Sequence, residues 1–231
     1  MDKKSAYAEL VRLRKRCHAC ANLVNPADVA SGAYDHDHIG PWSTWQGNID
    51  SPVMVIGQDW GTPAVFTATK GVEPTRYNYS NYREGGANVA LVTLLAEIGY
   101  TIEPPAGRPT VGNVFFTNAI LCLKPDDGKG LQSNVLRSWF DNCGRRFLRP
   151  LIDILQPKVA ITLGYEAYRA VMDSYGLPKK KLIEAVLDPS GNQLNRSTRL
   201  LPMYHCGQKT QNMNRSLDIQ RGDWRRALNY L

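Results

Sequence analysis

The chain has 231 residues, of which 43% are hydrophobic and 21% are charged, and its formal net charge at pH 7 is +7. This composition excludes a disordered tail protein and a collagen-like fibre. No apolar run approaches the roughly 18 residues that a membrane span requires, and no run of signal-peptide type follows the first residues. We therefore expect a single domain over residues 1–231 in a soluble, cytoplasmic and monomeric protein.

The basic residues are concentrated at the two ends of the chain. The first twenty residues contain six Lys or Arg against two Asp or Glu, and residues 179–231 contain ten against four. Two basic ends on one domain favour a face that binds the phosphates of a nucleic acid. The alternative is an ordinary solvated surface.

Helical and strand-like patterns alternate along the chain. A basic helix is predicted over residues 5–16, and the β-prone run at 52–57, which ends at Gly57, predicts a buried strand. The remaining predicted elements, in chain order, are a helix over 87–98, a strand over 113–119, a helix from an N-cap at Ser133 through Cys143, a helical segment at 151–155 after Pro150, a strand over 158–164, a helix over 165–175, a strand over 199–204 and a basic closing helix over 218–231.

Strands that alternate with helices imply a parallel sheet with helices on both faces. We therefore predict an α/β fold with three layers, α/β/α, around a central and mainly parallel sheet of four strands. Ligands of such sheets bind beyond the carboxyl ends of the strands. The residues in that position are Gln58-Asp59-Trp60-Gly61, Asn118, Gly164-Tyr165 and His205-Cys206-Gly207.

These strand ends carry a carboxylate, an amide and an imidazole. Asp59 is suited to orient a water molecule and stabilise a cationic sugar, Asn118 to read a planar base, and His205 to hydrogen-bond a developing oxyanion. Each residue type also has structural roles, since Asp caps turns and Asn satisfies backbone groups. Their shared position beyond the sheet favours cleavage of a bond whose leaving group becomes an anion.

Four motifs occur in a characteristic order: Val53–Gly61, then Phe115–Asn118 with Cys122–Pro125, then the segments 143–148, 156–158 and 163–164, and finally Met203-Tyr204-His205. Together they resemble the uracil-DNA glycosylase superfamily, in particular its iron-sulfur branch, from Cys17 to about Arg215. The resemblance implies that DNA is the partner and that the target base is flipped out of the duplex or taken from a single strand. It also implies that Asp59 directs water, Asn118 reads the base and His205 stabilises the departing base.

The chain contains five cysteines, and an odd number argues against a pure disulfide framework. The resemblance implies that four of them hold a 4Fe-4S cluster and leaves Cys206 unassigned. A zinc ion bound by the same four thiolates is the alternative, because ligand type alone does not separate the two. The four predicted ligands are Cys17, Cys20, Cys122 and Cys143.

The first motif departs from the iron-sulfur branch. That branch usually has Glu at the position of Gln58 and no Asp after it, whereas Gln58-Asp59 resembles the uracil-specific branch, in which this Asp assists water attack. That branch continues with Pro-Tyr, and the Tyr ring blocks a 5-methyl group. Trp60 and Gly61 occupy these positions here, so we predict that the base pocket accepts thymine-sized or bulkier pyrimidines unless Trp60 fills the space. We assign Gln58, Trp60 and Gly61 with Asn118 to base binding.

The second motif is also altered, because Cys206-Gly207 follows His205 where the superfamily usually has Pro-Ser. The polar loop over 208–215 is predicted to contact DNA, with Lys209 and Arg215 on phosphates and Met213 as an apolar wedge.

We therefore expect a DNA glycosylase that hydrolyses the N-glycosidic bond of uracil or a modified pyrimidine. We find no candidate lysine for lyase chemistry, so the expected product is an abasic site. DNA repair is the expected context, and a bulky phage-type base would imply antiviral defence. The alternatives are a non-catalytic iron-sulfur module that binds DNA or senses damage, and a small-molecule α/β enzyme.

Overall fold

The computed structural model describes residues 2–28, 48–63, 87–100, 114–126 and 134–231. The predicted N-cap at Ser133 lies outside these ranges. No helix within them is long and apolar enough to cross a lipid bilayer.

One sheet forms the centre of the described structure. Its four main strands are β1 (Val53–Gly57), β2 (Phe115–Asn118), β3 (Val159–Leu163) and β5 (Arg199–Met203), and β4 (Asn192–Gln193) is a short fifth strand. The order is β2-β1-β3-β5-β4, with every pair parallel except β4 and β5. The four predicted strands are confirmed. β4 was not predicted, because two residues are too few to produce a recognisable alternation.

The helices are α1 (Lys3–Lys15), α2 (Ala87–Ala96), α3 (Arg137–Cys143), α4 (Arg149–Leu155), α5 (Tyr165–Tyr175), α6 (Leu182–Leu187), α7 (Gln208–Met213) and α8 (Leu217–Arg225), with 3₁₀ turns at Pro26–Asp28 and Arg226–Tyr230. A π-helical segment, Gly144–Leu148, joins α3 to α4.

Two predicted helix boundaries are wrong. Helix α3 begins only at Arg137, because Leu136 before it has extended backbone and no side chain caps the helix. The closing helix changes to a 3₁₀ turn after Arg225. Pro150 lies in the first turn of α4, directly after the π-helical segment, and its missing N–H removes one hydrogen bond from this continuous helical stretch.

Both faces of the sheet are covered by helices. Met54 and Ile56 of β1 pack with residues of α1, α3, α4 and α5, whereas Val53 and Val55 pack with residues of α2 and α8. Alternate side chains of a strand point to opposite faces, so each face of β1 contributes to a different apolar cluster. The predicted α/β/α fold is confirmed, and it places the ends of the parallel strands at one edge of the sheet.

Candidate active site at the strand ends

Strands β1 and β2 bring Gly57 and Asn118 side by side, because the two residues are partners in the parallel register. Asn118 is buried, with 3% of its surface exposed. Its Oδ1 atom lies so close to Gly57 that a Cβ atom there would be 2.1 Å away. Gly57 is thus required by the side-chain position of Asn118, and this contact fixes the predicted base-reading amide over the end of β1.

The carboxylate of Asp59 is held by three donors. The Gly61 N–H donates to Oδ1 at 2.8 Å and the Gln58 amide donates to Oδ2 at 2.7 Å. The ammonium of Lys124 lies 3.3 Å from Oδ1. Gly61 has a φ of +84°, a left-handed conformation that glycine adopts readily, and this turn directs its N–H back to the carboxylate.

Lys124 was not predicted as a site residue, although it belongs to the Cys122–Pro125 motif; at this site lysines were considered only for lyase chemistry, and no candidate was found. Its side chain is only 2% exposed, and that of Asp59 is 8% exposed. The predicted site residues lie at the ends of the strands or directly after them. Lys124 follows Asn118 by six residues and reaches Asp59 through folding of the segment after β2. The structure shows it in an ion pair with Asp59, and the expectation of no lyase chemistry stays a prediction.

His205 follows β5 and has a defined tautomer. The Gly207 N–H donates to Nδ1 at 3.0 Å, so the neutral ring carries its proton on Nε2. Burial lowers the pKa of His205 and the nearby Asp59 carboxylate partly opposes this effect. His205 is nevertheless exposed to solvent as a whole residue, so its desolvation is incomplete. The neutral imidazole offers an Nε2–H donor, as the predicted role requires.

Glycine and cysteine neighbours fix the position of His205. A Cβ atom at Gly207 would lie 2.9 Å from Nδ1 of His205, and Gly164 has a φ of +86° beneath the same side chain. The buried thiol of Cys206 donates to the Ala87 carbonyl at 3.1 Å, and burial raises its pKa to about 12. The cysteine that the resemblance left unassigned therefore anchors the His205 loop to the start of α2.

Trp60 packs into the interior. It is buried in the apolar cluster that includes α2 and α8, and its ring centroid lies 6.0 Å from that of Phe116. The assignments of Trp60, Gly61 and Gln58 to base binding stay predictions.

The segment 208–215, predicted to be a loop that contacts DNA, is mostly helical, because α7 spans Gln208–Met213. Lys209 is exposed on α7, and Met213 is 71% exposed. Arg215 instead forms a bidentate pair with Asp223 of α8 at 2.5 and 2.7 Å and lies over the ring of Tyr204. Its guanidinium therefore ties the loop to α8. A phosphate contact by Lys209 or Arg215 stays a prediction.

The four predicted cysteine ligands line one cavity of about 50 Å³, together with Arg14 and Asn142 among other residues. Asn142 donates to the sulfur of Cys20 at 3.4 Å. The hydrogen bond from Cys143 lowers the pKa of Cys20 to about 6, whereas burial raises that of Cys122 to about 11. Folding thus brings together thiols from three parts of the chain, which are the segment after α1, the segment after β2, and helix α3.

The arrangement of these thiols bears on what they can bind. Over the described ranges, no three His, Cys, Asp or Glu side chains form a group that could hold a metal ion. A tetrahedral zinc ion, with Zn–S bonds of about 2.3 Å, would need its sulfurs within about 4 Å of each other. A four-iron cluster binds each cysteine through a different iron and spans a wider set of thiolates. The cluster and the zinc ion both stay predictions for these four cysteines.

Fold and site together define a class of protein: an α/β/α domain with a buried carboxylate, an amide and a neutral imidazole at the carboxyl ends of parallel strands, where such folds bind their ligands. A family model, the uracil DNA glycosylase superfamily, matches residues 44–229. The chain belongs to this superfamily, whose members are generally DNA-binding glycosylases. The match begins after Cys17 and Cys20. No curated protein matches the chain significantly.

Proposed function

We propose that the protein is a DNA glycosylase that hydrolyses the N-glycosidic bond of uracil or a modified pyrimidine and leaves an abasic site. The observation that carries this proposal is the buried Asp59 carboxylate, held by three donors, at the same edge of the sheet as Asn118 and His205. A carboxylate that is shielded from bulk water attracts a nearby cationic sugar strongly, because the local dielectric constant is low.

Each of the three side chains has one role in the proposed reaction. Asn118 hydrogen-bonds the edge of the flipped base, and its fixed position over Gly57 supplies the orientation. Asp59 directs water to the sugar carbon and stabilises the positive charge that develops on the sugar. His205 donates Nε2–H to the base as the base leaves with the bonding electrons.

The surroundings support DNA as the substrate. Lys209 and the basic ends of the chain supply phosphate contacts, and the exposed Met213 on α7 is the candidate wedge. Gly61 has no side chain to exclude a 5-substituent, which favours a modified pyrimidine alongside uracil and, for a phage-type base, a role in antiviral defence.

The test is base release from labelled oligonucleotides that carry uracil, thymine, hypoxanthine, hydroxymethylcytosine or glucosylated cytosine. Each oligonucleotide is tested as a single strand and as a duplex, and thymine is mismatched in the duplex. Release of one base by the unaltered protein, followed by strand cleavage only after alkali, would establish a monofunctional glycosylase and name its substrate. Protein that binds DNA but releases none of these bases would contradict the proposal for this panel and favour the non-catalytic module.

We propose further that Cys17, Cys20, Cys122 and Cys143 hold a 4Fe-4S cluster with a structural role. Protein purified without oxygen is expected to contain about four iron and four sulfide per chain. Cys122→Ser should lower both, whereas Cys206→Ser should not, because Cys206 bonds the Ala87 carbonyl away from the cavity. One equivalent of zinc without iron would contradict the cluster and support the alternative ligand.

The lowered pKa of His205 predicts a specific pH dependence. Nuclear magnetic resonance titration, with His205→Gln to assign the signal, should show the ring titrating below the usual value of about 6.5. As the pH falls, the unfolded chain binds this proton at a higher pH than the folded chain does. The contribution of His205 to stability therefore decreases as pH falls through about 6.5. Titration above 6.5 would contradict a neutral donor.

A further inference from the structure

We propose that Lys124 is a positioning residue for Asp59, whose buried side chain supplies the counter-charge to the carboxylate and holds it toward the substrate. This inference rests on the proposed function, in which Asp59 acts on water and sugar. The two charges lie 3.3 Å apart, with side chains that are 2% and 8% exposed.

The need for Lys124 follows from the burial of Asp59. Removing a carboxylate from water strongly favours its neutral form unless other groups replace the lost hydration. The donors from Gly61 and Gln58 are uncharged, and the neighbouring His205 imidazole has a lowered pKa. Among the residues that the structure describes, Lys124 is the one cationic group in ion-pair contact with Asp59. It therefore supplies the charge that the other donors lack.

The lysine is held in place by its own backbone. Its N–H donates to the Gly61 carbonyl at 2.8 Å, and Leu123 before it exchanges two backbone hydrogen bonds of 2.9 Å with Val24. Gly61 in turn donates its N–H to Asp59. Asp59, Gly61 and Lys124 thus close a ring of three contacts. A charge fixed in this way needs no rearrangement when the sugar becomes cationic.

A purely structural ion pair would also be buried, so the test must separate stability from charge at the site. Lys124→Met keeps the length of the side chain and removes its charge, and Lys124→Arg keeps the charge. Base release is measured at pH 7 on a uracil-containing oligonucleotide, or on whichever base of the panel is released. DNA affinity is measured in parallel.

Lys124→Met is expected to lower turnover about 100-fold at pH 7, the magnitude typical of a lost general acid or base, with DNA affinity changed less than about 3-fold. Lys124→Arg should restore turnover to within about 10-fold. Asp59→Asn with Lys124→Met should be no slower than Asp59→Asn alone, because residues that act as a unit are not additive. Unaltered turnover in Lys124→Met, failure of Lys124→Arg to restore turnover, or fully additive losses would overturn the proposal.

Unfolding in urea guards against a trivial loss of structure. Lys124→Met should unfold at lower urea than the double variant, because only the single variant leaves a buried charge unpaired. If Lys124→Met does not fold, two other results decide. The proposal expects Lys124→Arg to keep turnover within about 10-fold of the unaltered protein, and it expects the double variant to recover folding. An unaltered protein without base release would contradict the proposed function alone. Even in that case, additive effects of Asp59→Asn and Lys124→Met on the urea midpoint of unfolding would refute the coupling of Lys124 to Asp59.

Discussion

Replacing Asp59 by Asn is expected to lower base release by at least about 100-fold while changing DNA affinity less than about 3-fold. Asn has the same shape, and its carbonyl oxygen retains an acceptor for the Gly61 N–H that now bonds Oδ1. The variant loses the negative charge, so it neither stabilises a cationic sugar nor accepts a proton from water. The measurement is single-turnover release of the base identified in the panel.

The control is Asp50→Asn, which makes the same change in net charge at a side chain that is 76% exposed. This variant should release the base at the unaltered rate. Full activity in Asp59→Asn would remove Asp59 from the mechanism. An equal loss in both variants would show that long-range charge, and not the position of Asp59, causes the effect.

Replacing Gly57 by Ala should be nearly as damaging, although the substitution adds only one methyl group and replaces no proposed site residue. The new Cβ would lie 2.1 Å from Oδ1 of Asn118, a distance that no packing tolerates, so the amide must move. We expect base release to fall about 100-fold and the free energy of unfolding to fall by about 1–3 kcal/mol. Rate and urea unfolding together measure the two effects.

Gly222→Ala is the matched control, because Gly222 lies within α8 and an added Cβ would meet nothing within 4 Å. This change should raise the free energy of unfolding by about 0.5–1 kcal/mol and leave base release unchanged. Asn118→Ala should reproduce the rate loss of Gly57→Ala. If Gly57→Ala kept full activity, the position of the Asn118 amide over β1 would not matter to the reaction.

The sequence allowed the layers and the main strands to be predicted because both faces of the sheet are buried. Residues 53–57 and 159–163 are apolar runs without alternation, as expected for parallel strands between two helical layers. The ends of such strands are also where ligands bind, so Asp59, Asn118 and His205 followed from strand position. The cysteine set depended on resemblance to a family, since spacing alone did not show which of the five would meet.

The remaining features depend on contacts between distant residues. Lys124 reaches Asp59 across 65 positions of the chain, and Arg215 is tied to Asp223 by a pair that only the packing of α8 defines. The tautomer of His205 depends on one backbone N–H, that of Gly207. No local pattern specifies such contacts, because they form only when separately folded segments pack together.

The short segment after β2 has a consequence for protein engineering. Cys122 lines the cysteine cavity and Lys124 contacts Asp59, and their Cα atoms are at most about 7 Å apart, the span of two extended residues. Leu123 between them is bridged to Val24. A base pocket cannot be transplanted into or out of this protein as the loop after β1 alone. The graft must carry Cys122-Leu123-Lys124 and the Val24 backbone with it, or the recipient acquires Asp59 without its counter-charge.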